Sequence, residues 1–347
     1  MNPAETAVRQ HFETQARACD GLGSPFTAAL CRALAARLDT ATATGTHVLG
    51  WHGDARADAL ALRLCGALHA LVLTSADPAL AAVYPPAPLD AERLSDAAIA
   101  AISRHDARVL AFLASPPQTN ETGRAAMLLP GFLLIARETG LPLFVNEIGA
   151  SAGLGLFFDR FRYDYGAAAW GAPDGSARLS PEIRGRPPLD GDLRVSRRAG
   201  CDIAPIQVSD PEQRLRLKAF VWPDQPARLQ RLDAAMRIAS TEGIAVERAD
   251  AADFTRRQLA LRKPGEAFVL FHSIMWQYMP RTSKEGVLAA LDAAGREATP
   301  DAPIARLRME PLGEAPHATL SLTMWPGGET RRLARCDYHG RWIDWIG

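Results

Sequence analysis

The residues of this 347-residue chain that could do chemistry gather on either side of one short apolar run. Leu143–Ile148 carries Glu147 near its end, and a loop of small residues follows at once: Gly149, Ala150, Ser151, Ala152, Gly153 and Gly155. An amphipathic stretch, Leu156–Phe161, comes next. The pattern predicts strand, tight turn and helix, and in open α/β folds such a turn lets a ligand touch the backbone beyond the carboxyl end of the first strand. Upstream lies a second polar cluster, Gln118-Thr119-Asn120-Glu121-Thr122-Gly123-Arg124. A helix N-terminus accounts for Thr119 or Asn120 as a cap and for Glu121 beside the helix dipole. It does not account for Gln118 together with Arg124, whose guanidinium suits a salt bridge to Glu121 or a ligand carboxylate. Gln118 and Asn120 are therefore expected to face a substrate, and Glu121 and Arg124 to stand at the reacting centre.

Spacing narrows the ligand. A dinucleotide loop G-x-G-x-x-G counted from Gly149 needs glycine at 151 and 154, where the chain has Ser151 and Leu154. A phosphate loop G-x-x-x-x-G-K-[ST] needs glycine at 154 and lysine at 155, and fails as well. What fits is acidic-x-Gly-x-small-x-Gly, carried by Glu147, Gly149, Ser151 and Gly153. A packing turn that simply needs glycine is the bland alternative. Three later polar positions fall at the ends of expected strands. Asp202 suits a ribose diol, because a carboxylate accepts two hydroxyl hydrogen bonds. Asp250 suits an adenine amine, and His272 suits the pocket wall or a base. The competing roles are a helix cap for either aspartate and a hydrogen-bonded structural residue for the histidine.

The elements that must position these groups change character near residue 140. Before it the pattern is helical: Ser24-Pro25 opens a helix over Phe26–Leu38, and further helices are expected over 55–73, 91–113 and 121–138, the last kinked or split at Pro130-Gly131. Val48–Trp51 is the single short strand candidate there. After Gly140-Leu141-Pro142, strands alternate with helices, which predicts a parallel sheet. Strands are expected at Leu143–Ile148, Val195–Ile203, Ala245–Arg248, Ala267–Ser273, Ile304–Met309, Ala318–Met324 and Arg331–Cys336, with turn signals at Gly327-Gly328 and Gly340. Residues 163–199 are rich in Gly, Pro and Arg and read as an insertion. The expected division is a helical N-terminal cap domain over 1–140 and an α/β domain over 141–347.

The order of these features resembles Rossmann-like methyltransferases that use S-adenosylmethionine: a first motif at Glu147–Gly153, an acidic residue after strand two, Asp after strand three, then strand four and a closing antiparallel pair. That resemblance implies a doubly wound sheet of about seven strands with a C-terminal antiparallel hairpin, S-adenosylmethionine as cofactor and a small-molecule acceptor. Gln118–Arg124, Glu147–Leu156 followed by Asp159 and Tyr163-Asp164-Tyr165-Gly166, Gly200–Pro205, Phe220–Gln225 and Phe271–Ser273 also resemble an uncharacterised bacterial family known only as a domain of unknown function. The likeness covers nearly the whole chain. That family commonly carries Asn where this chain has Gly155, so one side-chain amide is missing here. The other function classes kept open are a non-catalytic binding protein on the same fold and an enzyme using another adenosine-containing ligand.

Composition bounds the rest. Lys+Arg and Asp+Glu both number 39, and this balance argues against a general nucleic-acid binder. Hydrophobic content of 48% with 22% charge is that of an ordinary globular chain. No apolar run approaches the roughly 20 residues that cross a bilayer, and the first residues lack the apolar stretch of a secretory leader. The five cysteines, at 19, 31, 65, 201 and 336, are scattered and show no zinc spacing. No metal, no membrane and a reducing cytoplasm are the expectations. Nothing in the chain specifies an oligomeric state.

Overall fold

The computed structural model describes residues 3–243, 245–313 and 315–347. The chain divides into two compact units: residues 1–119 with 211–229, and residues 120–210 with 230–347.

The described elements of the first unit are helices. They are α1 Pro3–Gly21, α2 Pro25–Arg37, α3 Ala43–Leu49, α4 Leu60–Leu73, α5 Pro78–Ala81, α6 Ala91–Arg104 and α7 Asp106–Leu113, and later in the chain Pro211–Ala219. Helix α2 starts as its sequence predicts: Ser24 caps it, accepting from the Thr27 N–H, and Pro25 takes the first helical position. Asp224 reinforces that start, accepting from the Ser24 hydroxyl at 2.5 Å and from the Phe26 N–H at 2.9 Å. Val48–Trp51 is not a strand. Thr42 caps α3 by accepting from the Gly45 N–H, and Val48 ends up buried on that helix. Phe12, Leu30, Leu34, Leu64, Leu68 and Leu94 fill the core of this unit.

The second unit opens with a 3-10 turn, Thr122–Arg124, and α8, Ala125–Thr139. Pro130 lies inside α8 without splitting it. A proline at that position cannot donate to the Ala126 carbonyl one turn back, and a buried carbonyl left alone is costly. The Tyr165 hydroxyl donates to that carbonyl at 2.7 Å and removes the cost. Gly131 then lets α8 lie close on the sheet, since a Cβ there would come within 2.5 Å of a Leu307 methyl.

The strands follow in chain order: β1 Leu143–Ile148, β2 Arg162–Asp164, β3 Ala169–Trp170, β4 Arg178–Leu179, β5 Glu182–Arg184, β6 Val195–Asp202, β7 Glu247–Arg248, β8 Ala267–Ser273, β9 Ile304–Pro311, β10 Ala318–Trp325, β11 Glu329–Cys336 and β12 Trp342–Trp345. With α9 assigned to Pro211–Ala219, the remaining helices are α10 Pro226–Glu242, α11 Ala251–Leu259 and α12 Arg281–Arg296. The class is mixed α/β, as expected. Nine strands form one large sheet in the order β5-β12-β11-β10-β9-β8-β1-β6-β7. The run β7-β6-β1-β8-β9 is parallel, β9 through β12 form an antiparallel meander, and β5 pairs parallel with β12. The C-terminus therefore adds more than a hairpin. The expected insertion supplies the small sheet β3-β2-β4 and the edge strand β5.

Alternation along the strands sets two faces. Glu147 and Phe271 are register partners on β1 and β8, and Phe271 meets Phe132 of α8 edge to face at 5.1 Å. The opposite face carries Phe144, Ile148, Phe268 and Leu270, packed with Phe254, Val287 and Leu291 of α11 and α12.

Candidate functional site

The loop after β1 is wound around the end of β6. Gly149, Ser151 and Gly153 all have positive φ, at 67°, 53° and 71°. That geometry suits glycine and is unusual for serine. The Ala150 N–H donates to the Cys201 carbonyl at 2.9 Å, and the Ser151 N–H donates to Asp202 Oδ2 at 2.8 Å. Asp202 Oδ1 accepts from the Ala204 N–H at 2.9 Å. The Ser151 hydroxyl is buried without a hydrogen-bond partner. The stretch after the loop, Leu154–Arg160, is 3-10 rather than α-helical and is interrupted at Phe157, where φ is −103°.

Glu147 is 5% exposed, and its Oε2 has no hydrogen-bond partner. Its carboxyl group fills the space a side chain at 155 would need: a Cβ on Gly155 would lie 2.6 Å from Glu147 Oε1. Burial pushes the Glu147 carboxyl well above the usual carboxylate range. The neighbouring Asp202 charge pushes the same way, and Arg124 opposes it. The group is thus biased toward the neutral acid, a form that donates as well as accepts.

Part of the upstream cluster meets this loop. Asn120 Oδ1 accepts from the Leu154 N–H at 2.9 Å, joining the polar segment to the Gly-rich turn. Glu121 caps the 3-10 turn by accepting from the Gly123 N–H at 3.0 Å. Arg124 donates to the Tyr338 carbonyl at 3.0 Å and to the Ser273 carbonyl at 3.4 Å, so it reaches the end of β8. Gln118 belongs to the first unit. Asn120, Arg124, Glu147, Ser151 and Asp202 therefore form one connected neighbourhood around the β1 loop.

His272 and Asp250 are placed differently. His272 neighbours Phe271 on β8, so it points to the α11/α12 face. It is fully buried, with Nδ1 2.6 Å from Glu310 Oε1 and Nε2 3.2 Å from Arg306 Nη2. Burial pushes its pKa down, against the pull of Glu310. Asp250 caps α11, accepting from the Ala252 and Asp253 N–H groups, and also accepts from the Ser283 hydroxyl. The Ser283 bond, partly offset by burial, holds its carboxyl below the usual range.

Several neighbours were not singled out from the sequence. The turn between β11 and β12 packs on the 3-10 segment so tightly that a Cβ on Gly123 would lie 2.3 Å from the His339 carbonyl oxygen. Asp337 fixes that turn, accepting from the His339 and Arg341 N–H groups and from the Arg341 guanidinium. The Asp-x-x-Gly pattern was a readable turn signal, but its contact was not. Asn146, next to Glu147 and fully buried, donates to the Phe144 carbonyl and leaves Oδ1 without a partner. Met275 covers Gly149, where a Cβ would meet its Cε at 2.7 Å. Ile203 and Tyr278, which follow β6 and β8, are each 77% exposed.

Together these features define a mixed α/β protein with a cluster of polar and strained residues where β1, β6 and β8 end. Residues 9–345 match the model of a family described as an uncharacterized protein conserved in bacteria (DUF2332), and the chain belongs to that family. Comparison with curated proteins and with solved structures yields no match. Among the described residues, no helix is long and apolar enough to cross a membrane.

Proposed function

We propose that this chain binds S-adenosylmethionine at the carboxyl end of β1 and transfers its methyl group to a small-molecule acceptor. The observation that carries the reading is the reversal of strand order at β1. The chain runs from β1 outward through β6 to β7, then returns to β8 on the other side of β1. Ligands of open α/β sheets bind in the crevice at such a switch point, and the Gly149–Gly153 loop stands beside it. On this reading the parallel strands form a Rossmann-like, methyltransferase-type sheet, and the helices before residue 120 form a separate N-terminal domain.

The geometry supports these roles as part of the proposal. Gly149, Ser151 and Gly153 allow close backbone approach, and Glu147 offers an unpaired oxygen to the cofactor's polar tail. Asp202 uses one acceptor site on Oδ2 for the loop's Ser151 N–H and one on Oδ1 for the Ala204 N–H, and keeps others for a ribose diol. Exposed Ile203 beside it, and Tyr278, offer apolar surface for a base. Asp250 is committed to its helix cap and retains less acceptor capacity for an adenine amine. Asn120 ties the substrate-side segment to the loop, and Glu121 and Arg124 stand at its edge. Methyl transfer is an in-line displacement, so holding donor and acceptor in line supplies much of the acceleration. The bond from the sulfonium sulfur to the methyl carbon breaks as the bond to the acceptor forms, S-adenosylhomocysteine is the leaving group, and an acceptor atom that carries a proton gives it to water.

A thermal-shift screen with S-adenosylmethionine, S-adenosylhomocysteine, NAD and ATP tests the reading. Ligand at a hundred times Kd adds about 2.7 kcal/mol, or about 5–10 °C for a unit of this size. The two S-adenosyl compounds are expected to stabilise the protein and Asp202→Ala to weaken both. Absence of any shift, repeated by calorimetry, overturns the proposal.

A further inference from the structure

The segment after β8 is held in a strained form by side chains from the neighbouring strand. Ile274 has φ +52°, where a β-branched residue is a true outlier and persists only if its surroundings enforce it. Its N–H donates to the Met309 carbonyl at 2.9 Å. The next two amides, of Met275 and Trp276, both donate to Glu310 Oε1, at 3.2 and 3.3 Å. Because Met275 also covers Gly149, this segment joins the ends of β8 and β1.

Glu310 is itself aimed by two buried neighbours. A guanidinium has only donors, so Arg306 Nη2, 3.2 Å from His272 Nε2, makes that nitrogen the acceptor. The imidazole proton then sits on Nδ1 and is donated to Glu310 Oε1 at 2.6 Å. His272 is neutral, with one tautomer enforced. Trp276 closes the cluster, stacked on the His272 ring at 5.1 Å, with the Arg306 guanidinium 4.3 Å from the indole centroid. Arg306 and Glu310 are buried like His272, so this chain of bonds is sheltered from water.

We infer that Glu310, aimed by His272 and Arg306, is the positioning residue that clamps the Ser273–Met279 segment in its strained form and thereby shapes the wall of the ligand crevice over Gly149. The contribution to ligand binding rests on the S-adenosylmethionine reading; the clamp does not. His272 thus acts through the segment rather than by touching a ligand.

The test uses the full chain. Glu310→Ala removes the acceptor, and Glu310→Gln keeps one acceptor oxygen. Hydrogen exchange at the Met275 and Trp276 amides is expected to speed up about tenfold or more in the alanine variant, the mark of lost local protection, and to stay near wild type in the glutamine variant. Long-range 15N correlation spectra are expected to show His272 as the neutral Nδ1–H form. S-adenosylhomocysteine affinity should fall about tenfold in Glu310→Ala, as expected when a preformed site is loosened. It should recover when Ile274→Gly is added, because glycine adopts positive φ without cost. Unchanged exchange in the alanine variant, an Nε2–H tautomer, or a double variant no better than Glu310→Ala overturns the clamp. Should the alanine variant not fold, exchange in Glu310→Gln and the tautomer decide. If wild type fails to bind S-adenosylhomocysteine, the cofactor reading falls, and exchange and tautomer still decide the clamp.

Discussion

Replacing Glu147 with glutamine separates a charge from a shape. The two side chains are nearly isosteric, so the close fit against Gly155 survives, but glutamine has no proton to lose. In the native state burial raises the Glu147 pKa well above its unfolded value of 4.5. Between those two values the folded chain holds a proton that the unfolded chain has released. Stability therefore falls as pH rises through that window, by up to about 1.4 kcal/mol for each pH unit crossed. The glutamine variant lacks this term. Its unfolding free energy minus that of wild type should rise with pH from about 4.5 upward at that slope, then flatten above the folded pKa. Taking the difference cancels titrations common to both proteins. Urea unfolding between pH 4.5 and 8, followed by circular dichroism, measures it. A difference that is flat, or that falls with pH, would show that Arg124 at least offsets burial and Asp202 and that Glu147 is ionised in the fold.

Three further substitutions probe other joints. Tyr165→Phe removes the donor to the Ala126 carbonyl that Pro130 cannot serve, which should cost about 1–3 kcal/mol in urea unfolding; a cost near zero would show that the carbonyl finds another partner. Burial lowers the His69 pKa from 6.5 to about 4, so its contribution is full above 6.5 and is lost as pH falls toward 4, by about 3 kcal/mol at most. The acid limb of the stability curve should flatten in His69→Gln and does not if another group causes it. Gly155→Ala has no backbone strain to relieve, so its Cβ, 2.6 Å from Glu147 Oε1, should cost about 1–3 kcal/mol through overpacking. Pairing it with Glu147→Ala should recover most of that cost; strict additivity in the double-mutant cycle would rule out the contact.

The strands at the middle of the sheet were legible because their local composition already demands burial. Ala267–Phe271, the first five residues of β8, is apolar throughout. Short segments were less legible. Val48–Trp51 spans too few residues to separate a strand period from a helical one, and its helix is decided by the Thr42 cap. Leu156–Phe161 looks amphipathic, yet Leu156, Phe157 and Phe158 are all buried, and the backbone leaves the helical region at Phe157, so the segment is 3-10 and interrupted. Strands β2 to β5 have two or three residues each; β2, β3 and β4 pair within residues 162–179, and β5 pairs far away in sequence with β12. No local period announces them.

The candidate site divides along a similar line. The Gly149–Gly153 turn beside Glu147 was legible because a Gly-rich turn after a strand has a local signature, and Asp202 because it ends the next strand. The Glu310–His272 pair has none. Arg306, Arg308 and Glu310 alternate along β9 as a solvent-facing row would, yet Arg306 and Glu310 are buried. Their burial is tolerable only because parallel pairing of β8 with β9, in a register that sets His272 opposite Arg308, brings each a partner from the other strand. The same pleat explains why polar residues at neighbouring strand ends need not share a site. Glu147 is level with Phe271, so His272, one residue further on, necessarily turns to the other face. Proximity of strand ends supplies the candidates, and the parity of the register decides which of them can act on one ligand.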